Sequence, residues 1–186
     1  MKEERIRPTK GKVLIAEPFL GDKNFERSVV LLCEYNNLGA FGLVLNQLTN
    51  LKLDDVIENI YAELPLYLGG PVEQNTLHFI HRLGDEIEGS VELGNGIYWS
   101  GDFEQVKTLI NISKISENDI RLFVGYSGWG AGQLEGELMQ DSWIVSDIDA
   151  GLIFETPSNN FWREVLKRMG GQYKVLSNYP TDPRLN

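Results

Sequence analysis

The stretch between positions 121 and 145 comes closest to a catalytic motif in this chain. Gly125-Tyr-Ser-Gly-Trp129 is similar to the Gly-x-Ser-x-Gly turn that carries the serine nucleophile of many hydrolases. Tryptophan replaces the second glycine of that turn, and a nucleophilic Ser127 would also need a histidine base. His78 and His81 are three residues apart in one predicted strand, so they point to opposite faces. We interpret Ser127 as a hydrogen-bonded turn residue, with the nucleophile as the alternative.

The sequence lacks the residue types and spacings that common cofactor and metal sites require. Gly128-Trp-Gly-Ala-Gly132 lacks the third glycine of a dinucleotide loop and the lysine of a P-loop, although the following helix start could bind an anion. One cysteine and two histidines cannot build a zinc cluster, and Asp147-Ile-Asp149 has the wrong spacing for a calcium loop. Cys33 follows apolar residues and precedes Glu34, which predicts an inert core thiol. We therefore predict no catalytic residues, no metal and no cofactor.

Binding is the chemistry that the glycine-rich segments favour. Trp129 stands between two glycines, which predicts an exposed indole that contacts a partner or ligand, whereas Trp143 and Trp162 fit core positions. The candidate surface combines two sets of residues, provided that the two glycine turns meet in space: Gly69, Gly70 and Pro71 with Trp129, Gln133 and Glu135.

The elements that must position these residues follow from hydrophobic periodicity and turn residues. Two strands, 29–35 and 40–46, form a hairpin around an Asn/Gly turn. Further strands are predicted at 12–17, 66–68, 77–82, 96–100, 122–126, 142–145 and 151–155. Helices are predicted at 53–60, after the cap Asp102, at 134–138, and at 161–169 before Gly170-Gly171. Adjacent strands without helical crossovers favour an α+β domain with a mostly antiparallel sheet.

Length, composition and charge limit the classes of function. The 186 residues, 42% of them hydrophobic, fit one domain, and no apolar run is long enough for a membrane span. The single cysteine and the absence of an apolar leader favour the cytoplasm. Residues 13–162 contain seven basic and 23 acidic groups, a balance of −16, while residues 1–12 and 163–186 each carry +3. Such a body repels nucleic-acid phosphates, which disfavours DNA binding. We expect residues 1–8 and 175–186 to be loose ends.

Several separated motifs resemble the YqgE/AlgH family of uncharacterised bacterial proteins, over about positions 11–173. They are Phe25-Glu-Arg-Ser-Val-Val-Leu-Leu-Cys-Glu, Gly39-Ala-Phe-Gly-Leu-Val-Leu-Asn, Leu68-Gly-Gly-Pro-Val, and Gly125-Tyr-Ser-Gly-Trp-Gly-Ala-Gly-Gln-Leu-Glu with Trp143 beyond it. The resemblance implies one α+β domain with a strongly curved, partly barrel-like sheet flanked by helices. It supplies no catalytic residues to carry over. Members often have histidine where this chain has Tyr35, and this departure removes a Cys33–histidine pair as a general catalytic device.

Three functions stay open at this stage. The first is a non-enzymatic binding or regulatory domain that acts through protein partners. The second is a small-molecule-binding or enzymatic domain with a pocket near the glycine-rich turns. The third is direct DNA binding, because one branch of the family carries the label of a transcriptional regulator of exopolysaccharide production. No helix-turn-helix pattern supports the third function.

Overall fold

The computed structural model describes residues 6–181 of the chain, which contain ten strands, six α-helices and two short 3₁₀-helices. The strands are β1 (Val13–Ala16), β2 (Val29–Asn36), β3 (Gly39–Val44), β4 (Leu48–Lys52), β5 (Pro65–Leu68), β6 (Val72–His81), β7 (Val91–Gly94), β8 (Ile97–Trp99), β9 (Ile120–Gly130) and β10 (Trp143–Ser146). The helices are α1 (Leu53–Val56), α2 (Phe103–Asn111), α3 (Gln133–Met139), α4 (Ala150–Glu155), α5 (Phe161–Met169) and α6 (Gly171–Leu176).

The strands form one large sheet in the order β10-β1-β2-β3-β9-β6-β8-β7, with β5 added beside β9 and β4 beside β5. Every pairing is antiparallel except that of β5 with β9. The predicted α+β class with a mostly antiparallel sheet is therefore confirmed. We expected a partly barrel-like sheet, but β10 and β7 end the strand order and the sheet does not close. The loop between β7 and β8 reaches across to the segment after β10, where the Asn95 side chain donates to the Ile148 carbonyl at 2.9 Å.

β9 is the strand that positions most of the motif residues. Its first half pairs with β5 and β6, and its second half pairs with β3. Gly125 interrupts the regular alternation with a φ of +69°, beside a register irregularity in β6. A Cβ there would lie 2.7 Å from the Gly70 carbonyl oxygen, so only glycine fits. The prediction that the strand ends at position 126 was wrong, because pairing with β3 keeps residues 127–130 extended.

Three buried clusters fill the two faces of the sheet. The inner core lies on one face and is covered by α4 and α5; it includes Val13, Leu31, Phe123, Ile153 and Phe161. On the other face, α2 covers a second core that includes Leu66, Leu122 and Val106. A third core, covered by α3, includes Leu14, Val30, Trp129, Leu134 and Trp143. The irregularity at Gly125 places the side chains that follow it on the opposite face from the one that regular alternation would give. Tyr126 therefore packs against the inner core, and Trp129 packs in the third core.

The element boundaries confirm some predictions and correct others. The β2–β3 hairpin, α2 and α5 are confirmed, with Asp102 accepting from the Gln105 amide and Gly170 ending α5. The strand predicted at 151–155 is instead α4, because the Asp149 side chain accepts the Leu152 amide and caps a helix. The helix predicted at 53–60 ends already at position 56.

The expected loose ends fall partly outside the described residues. Positions 1–5 and 182–186 lie there, and positions 6–8 form neither helix nor strand. The expectation for 175–181 was wrong at its start, because α6 continues to Leu176 and Ser177 is buried. The Tyr179 carbonyl also accepts from the Arg27 guanidinium at 2.7 Å, which fixes this part of the tail.

Candidate binding site

The first glycine turn, Gly69-Gly70-Pro71, packs directly against β9. The Gly69 amide donates to the Val124 carbonyl at 2.9 Å, and the Ser127 hydroxyl donates to the Gly69 carbonyl at 3.0 Å. A Cβ at Gly70 would stand 2.2 Å from the Tyr126 carbonyl oxygen. The two glycine segments therefore meet, as the candidate surface required, but their backbones fill the space between them. Gly69 and Gly70 are buried and only Pro71 is exposed.

Ser127 serves the structure as a hydrogen-bond donor. Its hydroxyl is fully buried and is held by the Gly69 carbonyl. His81 is buried on another part of the sheet, where its Nδ1 accepts the Leu83 amide and its Nε2 lies 3.1 Å from the Ser100 carbonyl. An accepting Nδ1 requires the neutral tautomer with the proton on Nε2. The predicted reading of Ser127 as a hydrogen-bonded residue is confirmed, although it lies in a strand and not in a turn.

Trp129 is buried, so the prediction of an exposed indole at this position was wrong. Only 6% of its surface is exposed, and its indole packs in the third core. Its Nε1 donates to the Glu137 carboxylate at 3.0 Å, and Nε1 of Trp143 donates to the same oxygen at 2.7 Å. Because β9 continues through Gly128, position 129 faces α3 instead of solvent. The two indoles and one carboxylate thus fasten α3 to the sheet.

Gln133 and Glu135 also fasten α3. The Gln133 side chain accepts the Gly130 amide at 3.0 Å and donates to Glu137 at 3.2 Å. The Tyr35 hydroxyl donates to Glu135 at 2.6 Å. This hydrogen bond lowers the pKa of Glu135 and is the main reason that the pKa of Tyr35 is raised. The six candidate residues accordingly fall into two groups, one packed on positions 124–127 and one around α3.

Four aromatic side chains in mutual contact form the surface that sequence reasoning missed. We call Phe41, His78, Trp99 and Tyr126 the aromatic patch; each is partly exposed. The Phe41 ring stacks on Tyr126 with centroids 4.6 Å apart, and it lies 5.3 Å from both His78 and Trp99. His78 meets Tyr126 edge to face at 5.7 Å. Aromatic pairs at such distances stabilise one another beyond simple burial.

Strand register explains why these four rings meet. They come from β3, β6, β8 and β9, which are neighbours in the sheet. The Gly125 irregularity places Tyr126 on the same face as Phe123, so its ring joins the edge of the inner core. Gly128 pairs with Phe41 across the strands, and a Cβ there would lie 3.4 Å from the Tyr126 ring. The absent side chain leaves this side of the Tyr126 ring uncovered, and both stacked rings are partly exposed.

Acidic residues flank the patch. Glu34 is exposed and pairs with Phe41 across β2 and β3, which places both side chains on one face. Burial lowers the pKa of His78, while the Glu73 carboxylate raises it by a smaller effect. His78 Nε2 also lies 3.0 Å from the Thr76 hydroxyl. The patch therefore combines ring faces with negative charge.

The signal for this surface was present in the sequence only in part. Phe41 and Tyr126 belong to the quoted motifs, and each neighbours a glycine. Their meeting depends on the irregularity at Gly125, which reverses the side-chain alternation and cannot be read from hydrophobic periodicity. His78 and Trp99 carry no local signal at all.

The other features considered for chemistry are the Cys33 thiol, the surface pockets and the residues that could bind a metal. Cys33 is 1% exposed, and burial together with the neighbouring Glu34 raises the pKa of its thiol, which confirms the inert core thiol. The surface of residues 6–181 has two open pockets of about 290 and 210 Å³. The larger has Asn95, Asp149 and Arg168 in its wall, and neither of the two is lined by the glycine turns. Within the same residues, no cluster of three His, Cys, Asp or Glu could hold a metal, and no helix is long and apolar enough to cross a bilayer.

Comparison with known proteins places this architecture in a family. Residues 13–174 match the family model described as AlgH-like, DUF179. A UPF0301 protein of Cytophaga hutchinsonii is 52% identical over 180 residues, which cover 96% of this chain and 99% of that protein. A UPF0301 protein of Chlorobium limicola is 42% identical over 184 residues, which cover 98% and 97%.

Two solved structures share the fold. The crystal structure of protein DIP2367 from Corynebacterium diphtheriae superposes with a TM-score of 0.79 at 25% identity, covering 95% of each chain. The solution structure of the AlgH protein from Pseudomonas aeruginosa superposes with a TM-score of 0.75 at 30% identity, covering 97% of this chain and 98% of that one.

Proposed function

The chain belongs to the AlgH-like family, and on that premise we propose that it is a non-enzymatic binding domain that acts through a protein partner. The aromatic patch is the proposed contact surface. The observation that carries the proposal is the cluster of four partly exposed rings, Phe41, His78, Trp99 and Tyr126, held in contact by four adjacent strands. Aromatic side chains are enriched at the centres of protein interfaces, where a few of them supply most of the binding energy.

Rigidity supports this choice of surface. Each ring stands on a strand whose register is fixed by backbone pairing on at least one side. Tyr126 is held further by the buried contact between Gly70 and its own backbone. A partner therefore meets rings that are already ordered, so little conformational entropy is lost on binding.

The charge of the chain supports a protein partner over DNA. Residues 13–162 carry a balance of −16, and Glu34 and Glu73 flank the patch itself. DNA binding depends on basic groups that contact phosphates. Direct DNA binding therefore stays the less favoured alternative. A small-molecule pocket is also less favoured, because backbone fills the space between the two glycine turns.

The test uses a substitution that covers the patch without removing a ring. Gly128→Gln adds a side chain beside the Tyr126 ring, opposite Phe41. The matched control is Gly130→Gln, two residues further along the same strand, where a Cβ meets no atom within 4 Å. Tagged wild type and both variants are mixed with lysate of the source cells, and bound proteins are quantified by mass spectrometry. Circular dichroism and thermal melting check that both variants fold.

We expect the same partner to bind wild type and Gly130→Gln, and to be depleted about tenfold with Gly128→Gln. A partner retained equally by both variants would refute the aromatic patch as the contact surface. Binding lost equally with both would refute it as well, because Gly130 lies outside the patch.

A further inference from the structure

The patch rings are partly exposed, so part of their surface is accessible to a positive charge. An aromatic face carries negative electrostatic potential and attracts a cation within about 6 Å of its centre. The chain uses this contact internally, since Arg121 stands 4.5 Å from the Tyr67 ring centre and Arg27 stands 4.6 Å from that of Trp162. The arginine–ring contacts found among residues 6–181 involve other rings than those of the patch.

Two carboxylates bring negative charge to the same place. Glu34 is exposed and is the cross-strand neighbour of Phe41. Glu73 lies near His78, because the Thr76 hydroxyl donates to the Glu73 carbonyl at 2.7 Å and lies 3.0 Å from His78 Nε2. Ring faces beside carboxylates complement a cationic group and repel an anionic one.

From this charge complementarity, and resting on the proposed function, we infer that the partner inserts an arginine side chain against the aromatic patch. A planar guanidinium stacks on aromatic rings, and its fork of N–H donors matches a carboxylate such as Glu34. Lysine offers only a compact ammonium, which is more strongly hydrated and cannot stack. Tyr126 and Phe41 supply the stacking surface, while Glu34 and Glu73 supply the counter-charge.

The experiment titrates ¹⁵N-labelled full-length protein with three short acetylated and amidated peptides of Gly and Ser. Their central residue is arginine, its neutral isostere citrulline, or glutamate. Chemical shifts of backbone amides locate the site and give the dissociation constants. We expect the arginine peptide to shift residues of the patch and to bind about fivefold more tightly than the citrulline peptide, a difference typical of one cation–aromatic contact. The glutamate peptide should show no binding.

Charge variants measure what the two carboxylates contribute to peptide binding while the rings stay unchanged. Glu34→Gln combined with Glu73→Gln should weaken the arginine peptide about fivefold and leave the citrulline peptide unchanged. The matched control, Glu58→Gln combined with Glu104→Gln, changes the net charge equally at exposed positions in other parts of the chain and should have no such effect. Added salt should weaken the arginine peptide only when Glu34 and Glu73 are present.

The outcomes distinguish the arginine inference from the proposed function. Equal binding of arginine and citrulline peptides, or equal effects of the two double variants, would overturn the arginine inference. If partner capture still depends on Gly128→Gln in that case, the proposed function stands and the partner uses an uncharged group. If the arginine peptide binds at the patch while partner capture ignores Gly128→Gln, the proposed function fails, and the arginine inference fails with it.

Discussion

Removing the Glu137 carboxylate should loosen α3 more than removing the Glu135 carboxylate of the same helix. In the structure, one oxygen of Glu137 accepts both indole N–H groups, from Trp129 at 3.0 Å and from Trp143 at 2.7 Å. Hydrogen bonds to charged groups contribute about 1.5–3 kcal/mol each. Because Glu137 is only partly buried, water can reach the site, and the lower bound is appropriate. We expect Glu137→Ala to lower the free energy of unfolding by about 3 kcal/mol, and Glu137→Gln by about half of that.

Glu135→Ala is the matched control, since it removes the same residue type two positions earlier. Glu135 accepts one hydrogen bond, from Tyr35, at a partly exposed position. It should cost about 1 kcal/mol. Urea unfolding, followed by circular dichroism and tryptophan fluorescence, gives the free energies, and indole N–H resonances report on Trp129 and Trp143 directly. A cost for Glu137→Ala no larger than that of Glu135→Ala would refute the view that the shared carboxylate holds the third core.

Three further predictions concern the backbone and a buried histidine. Gly70→Ala should destabilise the fold by about 3 kcal/mol or more, because its Cβ would collide with the Tyr126 carbonyl; a normal urea midpoint would contradict this. Gly136→Ala should instead stabilise α3 by about 1 kcal/mol, since its Cβ meets open space; the same assay should show a higher midpoint. Burial lowers the pKa of His81 below its ordinary value of 6.5, so the unfolded chain binds the proton more readily and stability falls as the pH drops below that value. Urea midpoints at about pH 7 and pH 5 should therefore differ more for wild type than for His81→Gln, and equal differences would count against a neutral His81.

Local chemistry made part of the fold predictable. The β2–β3 hairpin followed from strand-forming residues around the turn between Asn36 and Gly39. The start of α2 followed from the Asp102 cap, and the end of α5 from Gly170. In each case, the residue that decides the structure is adjacent in sequence to the element it controls. The antiparallel class followed from the directly adjoining strands.

Short apolar segments were the first source of error. Positions 151–155 read equally well as a buried strand or a buried helix, because five residues do not reveal a period. In the structure these residues form α4. The Asp149 side chain caps the helix, and the Arg121 guanidinium donates to the Ile153 carbonyl at 2.9 Å. Arg121 comes from β9, so that contact was not accessible from the local sequence.

The exposure of the candidate site residues was also predicted wrongly, because it too depends on structure that the local sequence does not reveal. A single irregularity at Gly125 reverses which side chains of β9 face the inner core, so Tyr126 reaches the patch and Trp129 is buried under α3. The two glycine turns meet in space, as the candidate surface required. The sequence could not show whether that contact encloses a cavity or fills it. That outcome depends on distances of 2–3 Å between backbones far apart in sequence.

The burial of Trp129 also decides which experiments can locate a partner. Replacing it by alanine would remove a core indole and leave Glu137 without one of its two donors, at a cost of about 3–5 kcal/mol. Stabilities of ordinary domains are about 5–15 kcal/mol, so at the lower end of that range such a variant would be partly unfolded in a lysate. A partner lost with Trp129→Ala therefore reports on folding. Gly128→Gln keeps every buried contact of the neighbouring tryptophan and changes only the exposed face of β9, so a partner lost with that variant reports on the aromatic patch.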